Sequence, residues 1–224
     1  MPRDAHAPVR TLPRAASLGG SLTAPVVLTG IVLLSFTMRL AAALAHATPR
    51  YFPDEYIYAA LARSLSNGRL TVRGQSASFP ALLEPILAAP AWLVADTAVA
   101  YRLTLGLHAA AWSLAAIPVY LIARRLRLPD WQALACAALT VSIPSAVYSS
   151  YVTADALALP FALGAVAVGV AALERPSAHT QVAFLALASL AAFARIQYVV
   201  LPLAFVAAAV VVSRGRPGEA FRSF

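Results

Sequence analysis

The chain has 224 residues, 61% of them hydrophobic and only 12% charged, with a mean hydropathy of +0.75. Soluble domains are nearer half apolar and one quarter charged, so this composition excludes an ordinary water-soluble domain and makes the bilayer the natural solvent. The net charge of +8 comes from arginine alone, because lysine is absent. The arginines gather at the ends of apolar segments rather than along one face, which excludes nucleic acid as a partner.

Residues 1–24 are basic, polar and rich in proline and glycine, and read as a disordered cytoplasmic tail. The first apolar run, 25–47, carries Arg39 and exceeds the roughly 7–15 apolar residues of a signal-peptide core, so a retained span is expected. A polar stretch over 48–97 follows as the first external loop. Within it, Ile57, Leu61 and Leu65 recur at helical spacing and Gly68 supplies a stop. That helix is too short and polar to cross, and is expected to lie amphipathically at the membrane surface. The run 81–95 is brief and interrupted by Pro85 and Pro90, which suits an interfacial or re-entrant segment. Further spans are expected at 102–123, 132–148, 154–172, 181–194 and 198–212. The fold class is therefore all-α: a polytopic bundle of about six transmembrane helices over 25–213, followed by a second cytoplasmic tail, 214–224.

Topology follows from arginine. Cytoplasmic loops carry the excess of positive charge. With the amino terminus inside the plasma membrane, Arg124, Arg125, Arg127, Arg175, Arg214, Arg216 and Arg222 fall on the cytoplasmic side as well. The composition, with arginine in place of lysine and abundant alanine, suggests a GC-rich bacterial genome. Cys136 sits alone in an apolar run, so it reads as a small packing residue and no internal disulfide is possible.

The polar residues that remain gather on the outer side. Tyr51-Phe52-Pro53-Asp54-Glu55-Tyr56 combines a proline with two acids at a helix start. The pattern suits a helix N-terminus and equally a carboxylate able to accept a proton or bind a cation. Asp155 follows the second external turn and could join Asp54 around a divalent cation, or simply open a helix. Arg195 and Arg102 are the candidates for holding a phosphate through the guanidinium fork, with snorkelling to the interface as the plainer reading. Arg39 reads as structural, paired with Asp54 or Asp155. His46 and His108 lack metal-ligand spacing and read as structural, while Glu84 could face a site or water. Tyr51, Tyr56, Trp92, Tyr148 and Tyr151 fit an aromatic belt. No Gly-rich phosphate loop, Gly-x-Ser-x-Gly or His-Glu-x-x-His occurs.

The order of these features resembles the GT-C superfamily of glycosyltransferases, such as protein O-mannosyltransferases and the aminoarabinose transferases of lipid A. The residues that carry it are Arg39 near the outer end of the first helix and the Asp54-Glu55 pair opening the first external loop. An amphipathic helix, Pro80-Ala81-Leu82-Leu83, Arg102 and Ala123-Arg124-Arg125-Leu126 follow, then the 143–155 stretch and Ala194-Arg195-Ile196-Gln197. The resemblance implies transfer of a sugar from a polyprenyl-phosphate donor to an acceptor hydroxyl on the outer face. It implies Asp54 as the catalytic base, Glu55 as a supporting carboxylate and membrane lipid as surroundings. It names no oligomeric state and no certain cofactor beyond a possible divalent cation. Because departure of a polyprenyl phosphate leaves a stable anion, one base can suffice, typically worth about 10²–10⁴-fold. Enzymes of this type are about twice as long, so the chain is expected to be their amino-terminal part, truncated. The other reading is a non-enzymatic multi-pass protein, a transporter half or assembly subunit, although no internal repeat is visible.

Overall fold

The computed structural model describes residues 23–45, 53–77, 81–143 and 149–214, and these are mostly helical. Three helical stretches are long and apolar enough to cross a membrane: Thr23–Leu44, Thr97–Arg125 and Asp155–Glu174. Their 22, 29 and 20 residues correspond to roughly 30 Å or more at about 1.5 Å per residue, the thickness of a bilayer core.

Helix α1 is Thr23–Leu44. Helix α2, Pro53–Ser66, begins with a proline and places Asp54 and Glu55 in its first turn, where exposed amides and the helix dipole favour acids. It ends before Gly68, whose φ of +68° is the left-handed conformation that closes helices. A small antiparallel hairpin follows, with β1 (Thr71–Val72) paired to β2 (Gln75–Ser76). Its turn residues Arg73 and Gly74 have φ of 52° and 78°, the paired positive angles of a two-residue hairpin turn.

The run 81–95 forms a short helix α3, Leu83–Ala88, and a 3-10 turn over Ala89–Leu93. Together they are far too short to cross. Helix α4 is Thr97–Leu114, and it starts earlier than the hydropathy pattern indicates because Asp96 caps it. The Asp96 carboxylate accepts from the amides of Ala98 and Val99 at 2.8 and 3.2 Å. Helix α5, Ala116–Arg125, continues the same stretch after a break at Ala115. Pro118 explains the break, since it offers no N–H to the carbonyl of Leu114 four residues before it.

Helix α6, Asp130–Ser142, has only 13 residues. It stops at Ile143, whose extended ψ of 153° is the conformation imposed on a residue that precedes proline, here Pro144. The rest of the expected span, 144–148, lies outside the described residues, as do both tails apart from Thr23 and Ala24 and the end of α9. Helix α7 is Asp155–Glu174 and helix α8 is Ala178–Ala194. A 3-10 turn over Ile196–Val199 leads into helix α9, Val200–Arg214.

Alanine makes most of the interior. Ala158, Ala162, Ala165, Ala188, Ala191 and Ala194 are buried where α7 and α8 pack, and small side chains let helix backbones approach closely without a hydrophobic driving force. Phe184 stacks on Phe205 with centroids 4.4 Å apart and fixes α9 to this pair.

The contacts sort the helix termini into two ends. At one end, Arg125 after α5 pairs with Glu174 at the close of α7 at 2.6 Å, and Arg124 pairs with Asp130 at 3.0 Å. The opposite end gathers the close of α1, the starts of α4 and α7, the close of α6 and α8, and α2 and α3. The end that holds Arg124 and Arg125 and the acidic end, which holds Asp54, Glu55, Glu84 and Asp155, are thus opposite faces of the bundle.

Candidate functional site

At the acidic end, α2 supplies the first two groups. Adjacent helix positions lie about 100° apart, so Asp54 and Glu55 meet different surroundings. Glu55 turns inward and is 1% exposed. Its Oε1 accepts from the Tyr101 hydroxyl at 2.7 Å and from the Val152 amide at 3.0 Å. One carboxylate oxygen therefore ties α2 to α4 and to the segment before α7.

Asp54 is half-buried and sits one helical turn before Tyr58, on the same face. Tyr58 is buried in the cluster of Ala43, Ala81, Tyr101, Leu105, Val152 and Ala154. Burial first, then the Asp54 and Glu84 carboxylates, push the Tyr58 hydroxyl up to about 12, while the Arg195 guanidinium pulls it down. Side chains from α2, α3 and the end of α8 thus converge electrostatically on one phenol.

Asp155, at the start of α7, forms an ion pair with Arg195, the residue that ends α8. Both remain about one third exposed, at 29% and 34%. The pairing uses one guanidinium nitrogen, Nη1, of a group that carries five N–H donors. Arg102, half-buried in the second turn of α4, stands at the same end. Asp54, by contrast, makes no hydrogen bond or ion pair with the described residues.

Arg39 braces the neighbouring helices. Its Nη1 donates to Ser149 Oγ at 2.7 Å, its Nε to Ser35 Oγ at 3.2 Å, and its Nη2 to the Val141 carbonyl. The guanidinium also lies 5.7 Å from the Trp112 ring centroid. Asp155, expected as a partner for Arg39, takes Arg195. Beside Arg39 runs a groove of about 420 Å³ between α1 and α6, lined by Ile31, Leu34, Met38 and Val141 among others.

Sequence reasoning missed the deepest pair. Glu84 and His108 are both 0% exposed and lie 3.3 Å apart through Oε1 and Nε2. His108 Nδ1 is 2.8 Å from the Tyr151 carbonyl oxygen. The available signals were a carboxylate inside an apolar run and the spacing of Tyr101, Thr104 and His108 along one face of α4, because a buried charge at membrane depth demands a partner.

Chemically, the end offers an unengaged carboxylate at Asp54, a phenol at Tyr58 and a cation at Arg195. Among the described residues no three His, Cys, Asp or Glu side chains cluster to hold a metal ion. Arg195 supplies positive charge to Asp155, one of the two carboxylates expected around a divalent cation. The chain matches no protein-family model, no curated protein and no solved structure.

Proposed function

We propose that the acidic end is the site of a membrane glycosyltransferase of the GT-C kind, moving a sugar from a polyprenyl phosphate to an acceptor hydroxyl. The observation that carries the reading is the contrast among its carboxylates. Glu55, Glu84 and Asp155 each hold a partner, whereas Asp54 holds none among the described residues and remains half-buried. A base must be able to meet its substrate's proton. Asp54 takes the proton of the acceptor hydroxyl, the acceptor oxygen bonds to the anomeric carbon, and the polyprenyl phosphate departs with the bonding electrons. Arg195, with donors beyond the one given to Asp155, receives the phosphate. Arg102 assists from α4, and Glu55 holds the first turn of α2 in place.

The same reading sets the chain in the plasma membrane with its amino terminus cytoplasmic. Arg124, Arg125, Arg127 and Arg175 at one end and the site at the other support that orientation. Six crossings follow if α6, α8 and α9, with 13, 17 and 15 residues, span with help from their flanking segments, and α2 lies at the interface. The test is transfer of labelled sugar from polyprenyl phosphate by membranes carrying the full chain. Wild-type turnover that is lost in Asp54→Asn, with insertion intact, is expected. Full turnover in that variant refutes the role of Asp54.

A non-enzymatic multi-pass protein such as a transporter half is the second reading. The buried Glu84–His108 pair favours it, since ionisable groups at membrane depth often line ion paths. Solute flux without sugar turnover decides for it.

A further inference from the structure

The Glu84–His108 contact fixes where a proton must be. His108 Nδ1 lies 2.8 Å from the Tyr151 carbonyl oxygen. A carbonyl offers only lone pairs, so Nδ1 carries the hydrogen. In a neutral imidazole Nε2 is then a bare acceptor, and it faces Glu84 Oε1 at 3.3 Å. An ionised carboxylate is also an acceptor. Two lone pairs would oppose each other in an interior where both side chains are 0% exposed. A proton in the gap turns this repulsion into a hydrogen bond, whether it rests on the carboxyl or on the ring. With it, the pair has no net charge, the state in which burial costs least. Without it, a lone carboxylate would sit in the apolar interior.

A second observation separates this pair from an inert structural contact. Glu84 Oε2 is buried and has no hydrogen-bond partner among the described residues. Buried polar atoms are almost always satisfied, and the exceptions ask for an explanation such as a chemical role. With Oε2 unpartnered, the contact of Oε1 with His108 is the one hydrogen bond this carboxyl makes among the described residues, so no donor besides the shared proton offsets a negative charge there.

We propose that Glu84 and His108 form a buried proton-binding site, holding one exchangeable proton that is shared between the carboxyl and the imidazole. The ligand is the proton itself. Of the titratable groups, Tyr151 meets His108 through its carbonyl and Tyr58 feels the Glu84 carboxylate, while Asp54, Glu55, Tyr101, Arg102, Asp155 and Arg195 belong to the elements of the same end. Asp155 and Arg195 neutralise each other, and Glu55 is held by Tyr101 and Val152. Tyr58 senses both Glu84 and Asp54. The site does not depend on the sugar-transfer reading, and its test contains no sugar donor, so the two can fail separately.

The test is spectroscopic, on the purified full chain in micelles at neutral pH. Histidine-nitrogen NMR reports the protonation of His108, and infrared difference spectra between wild type and Glu84→Gln report the carboxyl. A glutamine amide can donate to Nε2, so this variant keeps the hydrogen bond while deleting the extra proton. The expected result is either a protonated-carboxyl band that disappears in Glu84→Gln, or a doubly protonated His108 that becomes neutral with hydrogen on Nδ1. The proton signal is also expected to respond to transfer into D2O. A neutral wild-type His108 without a protonated carboxyl overturns the site, as does hydrogen on Nε2 with Nδ1 bare, or a proton that never exchanges. If Glu84→Gln fails to fold, the wild-type spectra decide alone.

Discussion

Replacing Glu55 separates its structural work from its chemistry. In Glu55→Ala the Tyr101 hydroxyl and the Val152 amide lose their common acceptor in a site where Glu55 is 1% exposed. Leaving a buried donor unmade costs about 1–3 kcal/mol, so two of them cost about 2–6 kcal/mol. In Glu55→Gln the side-chain oxygen still accepts both bonds. Its new amide nitrogen takes the position of Oε2, which has no partner among the described residues, and this unmet donor costs about 1–3 kcal/mol. Neutralising a buried carboxylate offsets part of that cost. The assay is equilibrium unfolding of the full chain in mixed micelles, followed by helical circular dichroism. A larger loss in Glu55→Ala than in Glu55→Gln is expected, because the glutamine keeps both bonds. Equal losses in the two variants, or a loss below about 1 kcal/mol in Glu55→Ala, would refute the reasoning that one oxygen ties three segments together. Measured alongside, sugar transfer surviving in Glu55→Gln would limit Glu55 to positioning, because the charge would then be dispensable.

Alkaline pH tests the environment of Tyr58. Its hydroxyl rises from 10.0 to about 12, so the folded state keeps the proton after the unfolded chain has lost it. The stability from this group is therefore fully present below pH 10 and disappears as pH climbs through about 12. A shift of about two units corresponds to about 2–3 kcal/mol at most. Tyr58→Phe is expected to remove that part of the alkaline loss; an unchanged unfolding curve against pH would contradict it. Two glycines of α7 form a second comparison. A Cβ at Gly169 would stand 3.1 and 3.2 Å from ring atoms of Phe184, which is stacked on Phe205, whereas at Gly164 it would reach Leu187 at an ordinary 3.5 Å. Gly169→Ala is expected to destabilise by about 1–3 kcal/mol through overpacking, while Gly164→Ala is expected to be neutral or slightly stabilising through helix propensity. Equal effects on thermal unfolding would refute the packing argument.

Much of the helical layout is legible because its punctuation is local. Pro53 opens α2 and Gly68 follows its end, and proline interrupts the 81–95 run, where the structure has only a short helix and a 3-10 turn. Boundaries set by side-chain caps are less legible. Asp96 reads as one more polar loop residue until its carboxylate is seen on the amides of Ala98 and Val99, and this adds a turn to α4. The break at Ala115 could have been read from Pro118, but hydropathy is blind to it. The span count is weaker in the chain for the same reason. Apolar composition continues through α6, α8 and α9, yet their lengths depend on where prolines and polar turns stop the backbone.

The site divides along the same line between local and distant information. Asp54, Asp155 and Arg195 stand out because each is charged beside an apolar helix end, and the structure brings Asp155 and Arg195 into an ion pair. The pairing itself could not be read, since 40 residues separate the two and their meeting requires α7 and α8 to run antiparallel. Glu84 and His108 are 24 residues apart, and they meet only because α3 folds back beside α4 instead of crossing. A sequence reader who assumed a full span at 81–95 would have started the next helix on the far side of the membrane and placed the Arg124–Arg127 cluster outside. Positive charge argued against that span, and the same short helix that preserves the arginine pattern also buries the carboxylate against the imidazole. The arginine pattern and the Glu84–His108 contact therefore stand on one structural fact: α3 is too short to cross.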